Sequence, residues 1–260
     1  MTAYAGRHAE LYDIFYGDKP YAQEAEFVHY CLQRYSIGET HRILELACGT
    51  GTHALFLEKL GYEIIAIDNS EDMLTRARHK AEEVSSKVEF RYQDMRSLNI
   101  NEKPFDAVLC LFDSIGYVQT NEGLEQVLKG VYHNLRENGL FVFEFWHAPA
   151  MLCSYEPLRV RRWQTPKSQL VRIAETELDS ARQLAKIKYT VYELYTDGTY
   201  TCFQETQTNR YFLVQEIALW LTTSGFTPVK WFAGFTPEEN ISEQTWHVVS
   251  VARKSKKHRA

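Results

Sequence analysis

One short segment restricts the fold of this chain more than any other. Ile43-Leu44-Glu45-Leu46 is an apolar run, Ala47-Cys48-Gly49-Thr50-Gly51 follows it, and Thr52-His53-Ala54 opens a helical pattern. The order reads as buried strand, tight turn, helix start. A second apolar run, Tyr62-Glu63-Ile64-Ile65-Ala66-Ile67, comes next and ends on Asp68. Glycine at 49 and 51 lets the backbone turn sharply and approach a ligand with no Cβ in the way. A carboxylate at the tip of the following strand is placed to accept hydrogen bonds from a ribose diol. That is the arrangement of a nucleotide-type site at the carboxyl edge of a parallel sheet. Ala54 stands where the dinucleotide fingerprint has its third glycine, which counts against a nicotinamide cofactor.

The alternation of strand and helix continues. Ser70 caps a helix that presents Leu74, Ala77, Ala81 and Val84 on one face. Val88–Tyr92 and Ala107–Leu111 read as strands three and four. Residues 122–136 carry the clearest helical stripe, Leu124, Val127, Leu128, Val131, Tyr132 and Leu135, and Asn138-Gly139 supplies a stop. Leu140–Trp146 is strand five. After residue 150 the period changes to two, as in Ile187, Tyr189 and Val191, and Asp197-Gly198 marks a hairpin. A helix near 214–224 and late strands near 226–232 and 246–252 resume the first pattern. The spacing therefore predicts an α/β fold: a doubly wound, mostly parallel seven-stranded sheet with an antiparallel β insertion after strand five. The expected organisation is an N-terminal helical segment (1–40), a ligand-binding core (41–150), the insertion (151–213), a return to the core (214–252) and a basic, solvated tail (253–260).

Composition narrows the partners. The 260 residues carry 29 basic and 34 acidic side chains, a net charge of -5, with no clustered basic footprint for nucleic acid. Five cysteines without paired spacing fit a reducing compartment. No run is long and apolar enough to span a membrane. A cytoplasmic protein acting on a small molecule is expected, and a homodimer stays open. No metal is expected, because no histidines recur one helical turn apart and no CxxC occurs.

The motif E-L-A-C-G-T-G followed by a strand and Asp68 resembles the cofactor motif of class I S-adenosylmethionine-dependent methyltransferases. Tyr12-Asp13-Ile14-Phe15-Tyr16, Ser70–Leu74, Asp94-Met95-Arg96, Phe112-Asp113-Ser114-Ile115-Gly116-Tyr117 and Glu144-Phe145-Trp146 extend the likeness. Together they resemble bacterial N-methyltransferases that dimethylate the amine of nucleotide-linked deoxyamino sugars. His147 departs from that group, which commonly has an aromatic there. The resemblance implies S-adenosylmethionine (SAM) as cofactor. It would be bound by Tyr12, Tyr16, Glu45, Ala47, Cys48, Gly49, Gly51, Asp68, Asn69, Met73, Gln93, Asp94, Met95, Leu111 and Phe112. It also implies that the aromatic N-terminal segment closes over the cofactor, with Tyr16 near the sulfonium, and that the insertion shapes the acceptor pocket. Ser114, Tyr117, Trp146 and Arg210 are the acceptor-side candidates.

Individual residues keep two readings. Asp68 either binds ribose or caps the next helix. Asp94 either accepts from the adenine amine or is a loop carboxylate. Tyr16, Glu144 and His147 are the candidate bases, and His147 is equally a strand-end histidine. Arg210 meets an anionic acceptor group or a surface acid. His53 reads as a neutral structural or cofactor-adjacent group, since a helix N-terminus disfavours its charged form. Methyl transfer to an amine is expected, with an O-methyltransferase or a non-catalytic SAM-binding module as rivals.

Overall fold

Why the predicted strands form is visible in their burial. The computed structural model describes residue 4, residues 6–100 and residues 102–255. β1 (Arg42–Leu46), β2 (Glu63–Asp68), β3 (Glu89–Tyr92), β4 (Phe105–Cys110) and β5 (Leu135–Trp146) lie parallel. Ile43, Ala66, Leu109 and Val142 are fully or nearly fully buried against one layer of helices. Leu44, Ile65, Val108 and Phe141 are buried against the other. A strand apolar on both faces is stable only between two helical layers.

Helices α1 (Arg7–Phe15) and α2 (Tyr21–Tyr35) precede the sheet. Helices α3 (Thr52–Lys59), α4 (Glu71–Glu83) and α5 (Asn121–Asn134) connect its strands. A short α6 (Ala148–Ser154) leads into a second, antiparallel sheet of β6 (Leu158–Gln164), β7 (Ser168–Asp179), β8 (Leu184–Tyr195) and β9 (Tyr200–Arg210). The chain returns through α7 (Val214–Thr223) to β10 (Phe226–Ala233) and β11 (His247–Lys254). The main sheet has seven strands in the order β10-β11-β5-β4-β1-β2-β3, with β11 antiparallel to both neighbours. Strand order reverses between β1 and β4, and ligands of wound sheets bind at that switch point.

Two sequence expectations shift. The helix predicted over 122–136 ends at Asn134, and Leu135 is already extended. Asn138 adopts a left-handed φ of 62° within strand five, where pairing slips from Phe105–Leu135 to Ala107–Leu140. Arg136 anchors this bulge by donating to Asp106 Oδ1 at 2.5 Å. The basic tail is also shorter than expected. Arg253 and Lys254 belong to β11, where Arg253 donates to the Tyr35 carbonyl at 2.6 Å and Lys254 to the Leu135 carbonyl at 2.7 Å. Residues 256–260 of that tail lie outside the described residues. No helix among the described residues is long and apolar enough to cross a membrane.

Candidate active site

The glycine turn leaves β1 through three consecutive constraints. Ala47 takes a left-handed φ of 51°, the Cys48 N–H donates to the Ile67 carbonyl at 2.9 Å, and Gly49 has φ 57°. The Gly49 N–H donates to Asp68 Oδ2 at 2.8 Å, and the Ser70 N–H donates to Asp68 Oδ1 at 2.8 Å. Asp68 thus ties the tips of two strands together. The helix cap falls to Ser70, as its position predicts, and not to Asp68: the Ser70 hydroxyl accepts from the Met73 N–H. Each Asp68 oxygen keeps a further lone pair for a ligand. Burial pushes this carboxyl up, against the pull of the Gly49, Ser70 and Asn69 N–H groups. Lys80 fastens α1 beside the turn, donating to Asp13 at 3.1 Å and to Thr50 and Thr52 at 2.8 Å each.

Two adjoining cavities open at this switch point. The larger is about 340 Å³, within the usual size range of small-molecule sites. Its inner end is lined by Tyr12, Ala47, Gly49, Asp68, Asn69, Met73, Gln93, Met95 and Arg96. Its outer end is lined by Tyr4, Ser114, Tyr117, Gln119 and Thr206, Gln207 and Thr208 of β9. The smaller, about 30 Å³, is lined by Tyr12, Tyr21, Glu45, Ala47, Cys48, Gly49, His53, Leu111, Phe112 and others. Phe112 and Ser114 border both. Gly51 sits one step behind: its φ is 75°, and a Cβ there would meet the Phe90 ring at 2.6 Å.

Glu45 is the unsatisfied group of the smaller cavity. It is buried, its Oε2 has no hydrogen-bond partner among the described residues, and its Oε1 lies 4.0 Å from His53 Nδ1. Burial and the nearby Asp68 push its carboxyl up to about 8. His53 is itself held by Glu24 through a 2.7 Å bond.

The outer end is neutral. Tyr117 donates to Gln207 Oε1 at 3.3 Å and shares a short hydrogen bond with Tyr4. Burial raises the hydroxyls of Tyr4, Tyr12 and Tyr117 well above the usual tyrosine range. Tyr16 stands behind the wall, with ring centroids 4.7 Å from Tyr12 and 5.1 Å from Phe112. Its hydroxyl accepts from Arg172 Nη1 at 3.4 Å.

Several predicted groups point elsewhere. Glu144 is buried and committed: Oε2 accepts from the Phe112 N–H at 2.7 Å, and Oε1 lies 3.2 Å from His247 Nδ1. His147 leads into α6 with its Nδ1 at 3.1 Å from the Thr245 carbonyl, and burial lowers its pKa. Trp146 packs on the cluster of Ala148, Met151 and Tyr211. Arg210 donates to Asn121 at 2.8 Å and Glu216 at 2.7 Å. None of these four lines either cavity. Asp94 is also absent from the lining, because Arg96 takes both its oxygens at 2.5–3.1 Å and itself faces the cavity.

Sequence reasoning missed Tyr4, Arg96, Gln119 and the β9 triplet. They reach the cavity from distant parts of the chain, and only the alternation of β9 hinted at one polar face. It also missed Asp113 and His247. Among the described residues, Asp113, Glu144 and His247 are the group whose ligand atoms gather within 4.8 Å. His247 Nδ1 lies between the carboxylates, 2.9 Å from Asp113, so the cation of the cluster is the imidazolium.

Comparison with known proteins agrees with this geometry. Residues 43–139 match the family described as a methyltransferase domain. A Geobacillus sp. (strain WCH70) protein, named a methyltransferase with no acceptor in its name, is 30% identical over 254 residues, covering 95% of this chain and 98% of the relative. The dTDP-3-amino-3,4,6-trideoxy-alpha-D-glucopyranose N,N-dimethyltransferase of Streptomyces venezuelae is 35% identical over 144 residues, 55% of this chain and 58% of that enzyme. A solved S-adenosylmethionine-dependent methyltransferase from Clostridium acetobutylicum superposes with a TM-score of 0.81 at 21% identity, covering 95% of this chain and 98% of that one, a likeness of fold. Wound sheet, glycine turn, switch-point cavity and full-length relative lead to one assignment: the chain belongs to the methyltransferases and has the wound-sheet fold of their class I.

Proposed function

We propose that the two cavities together hold SAM and that the enzyme methylates the nitrogen of a small, uncharged amine on a sugar-like acceptor. The chain's own groups suit the cofactor. Asp68 has spare lone pairs for a ribose diol at the inner end of the larger cavity. Glu45 Oε2, buried without a partner, suits the α-ammonium of the methionine portion. Gly49 leaves room beside Met73, whose Cε would stand 3.3 Å from an added Cβ. When bound, SAM supplies an electrophilic methyl on its sulfonium.

One observation carries the amine reading. The outer lining of Tyr4, Ser114, Tyr117, Gln119, Thr206, Gln207 and Thr208 contains no carboxylate and no imidazole. Its tyrosines hold their protons far above neutral pH. A hydroxyl acceptor needs a base near its own pKa range, whereas a neutral amine attacks without one. The lining therefore orients a nucleophile that is already competent. Holding it about 3 Å from the methyl and in line supplies several kcal/mol of the barrier reduction. Tyr12 and Phe112 form the apolar wall there, and Tyr16 backs both. Glu144 and His147 take no part as bases, since both are occupied elsewhere. The sugar-like acceptor rests on the dTDP-amino-sugar relatives and on the hydroxyl and amide groups of β9.

The test is S-adenosylhomocysteine release across matched amino and hydroxy acceptors, nucleotide-linked amino sugars included. Turnover on an amine and not on its hydroxy analogue is expected. Turnover confined to hydroxyl or carboxyl acceptors overturns the nitrogen assignment and leaves the family intact.

A further inference from the structure

We infer that His247 is a positioning residue for methyl transfer: it is the cation that lets the buried Asp113 and Glu144 stay ionised side by side, and the three together hold the Phe112–Asp113 turn as the wall of both cavities. The inference rests on the reading of these cavities as the SAM site.

The turn is strained. Phe112 and Asp113 both adopt left-handed backbones, φ 56° and 54°, which non-glycine residues rarely take in succession. Something must hold them there. Glu144 Oε2 accepts the Phe112 N–H at 2.7 Å, and Asp113 accepts from His247 Nδ1 at 2.9–3.0 Å. Asp113 and Glu144 are each 2% exposed. Two carboxylates so close and so dry cannot both ionise unless a cation lies between them. β11 provides it, since His247 pairs opposite Trp146, two residues along β5 from Glu144. Lys19 faces the triad from the segment joining α1 and α2, 4.5 Å from the Phe112 ring and paired with Glu24. Cys110 from β4 and Tyr117 also face it, and burial keeps both protonated.

The titration follows from this packing. Partial desolvation lowers the His247 pKa, but the Asp113 and Glu144 charges outweigh it and push the imidazole up to about 11. Burial and Glu144 push Asp113 up to about 6, with His247 and Lys19 restraining the rise. Glu144 is held below the usual range, because His247, Lys19 and the Phe112 N–H overcome its burial. Asp113 is thus the member that takes a proton on acidification.

The experiment is the SAM dissociation constant from pH 5 to 10, with the ligand-free melting temperature, for wild type, His247→Gln, His247→Gln/Asp113→Asn and Asp68→Ala. Beyond the gradual loss that Glu45 imposes below about pH 8, wild-type affinity should show a second, steeper fall as pH drops through about 6. In His247→Gln the fall should move up by about one pH unit or more, because the unshielded carboxylates share a proton. The double variant, with one charge removed, should bind more tightly at pH 7 than His247→Gln and should lack its shifted fall. If His247→Gln does not fold, Asp113→Asn alone serves: it should lose the steeper fall near pH 6 and keep the Glu45 slope, while His247 still pairs with Glu144. A His247→Gln profile superimposed on wild type overturns the role. So does a wild-type protein that loses affinity on dialysis against a chelator, which would give the cluster to a metal. Full SAM binding by Asp68→Ala would instead overturn the placement of the cofactor. Weak binding by Asp68→Ala with an unmoved His247→Gln profile overturns the positioning role alone.

Discussion

The inner and outer halves of the cavity are built in opposite ways. The inner half comes from chain-local motifs: the turn 47–51, Asp68-Asn69 and Gln93, each at the tip of a strand of one parallel sheet. The outer half is assembled from Tyr4, the 114–119 segment and 206–208, which are scattered along the chain. Binding chemistry concentrated in one motif is conveyed by spacing alone. A pocket wall made of distant segments is specified only by how the second sheet docks.

The sharpest way to break this contrast is at the seam. Gly116 lies where the outer half meets the wound core, and a Cβ there would stand 1.5 Å from Asn209 Oδ1 and 2.6 Å from the Arg210 carbonyl. The side chain can swing away, but the carbonyl belongs to β9 and must shift. Gly116→Ala should cut turnover by about 100-fold, the usual effect of an ångström of misplacement. SAM affinity should change by less than about threefold, as the inner half does not depend on β9. Collapse of both together would show that the halves are one unit.

Asp68→Ala probes the inner half. It should raise the SAM dissociation constant by roughly 10- to 100-fold, the loss of a charged hydrogen bond. Asp68 also anchors the Gly49 and Ser70 N–H groups, so the upper end of that range is expected. An unchanged constant would remove ribose binding from this residue.

Glu45 gives a pH signature of the same half. Its carboxyl sits at about 8 in the free protein, above the ordinary value of 4.5. The folded protein therefore holds a proton there that the unfolded chain has released, so this group lowers stability as pH rises from 4.5 through 8. Capturing an ammonium demands the charged form. SAM binding should release a proton below about pH 8 and tighten by up to roughly tenfold per pH unit up to that point. Calorimetry in buffers of different ionisation enthalpy reads the proton directly, and Glu45→Gln should abolish both effects above about pH 7, where Asp113 no longer titrates.

What the sequence conveyed follows the same division. Helix and strand periods predict the wound core, because burial on both faces leaves no choice of residue type. The hairpin at Asp197-Gly198 and the two-residue period predict the second sheet, with Gly198 at φ 86°. Side-chain commitments were not legible. Glu144, His147 and Arg210 have the chemistry of a site, yet each is claimed by a partner 98, 103 or 89 residues away: the Thr245 carbonyl for His147, His247 for Glu144 and Asn121 for Arg210. No local pattern encodes such pairings.

Asp94 is where that lesson is most exposed to failure. Its position after β3 points to the adenine, but Arg96 takes the carboxylate through three contacts and presents its own side chain to the cavity. Arg96 holds Asp94 below the usual carboxylate range, so the pair is charged at neutral pH. Half-exposed pairs of this kind contribute about 0–1 kcal/mol. Asp94→Ala should therefore change the SAM dissociation constant by less than about threefold and should leave its pH dependence intact. A tenfold loss would mean that Arg96 swings aside when the cofactor enters and hands Asp94 to the adenine amine. The inner half would then owe part of its shape to the ligand, and the contrast with the outer half would narrow to a difference in how far each is formed before binding.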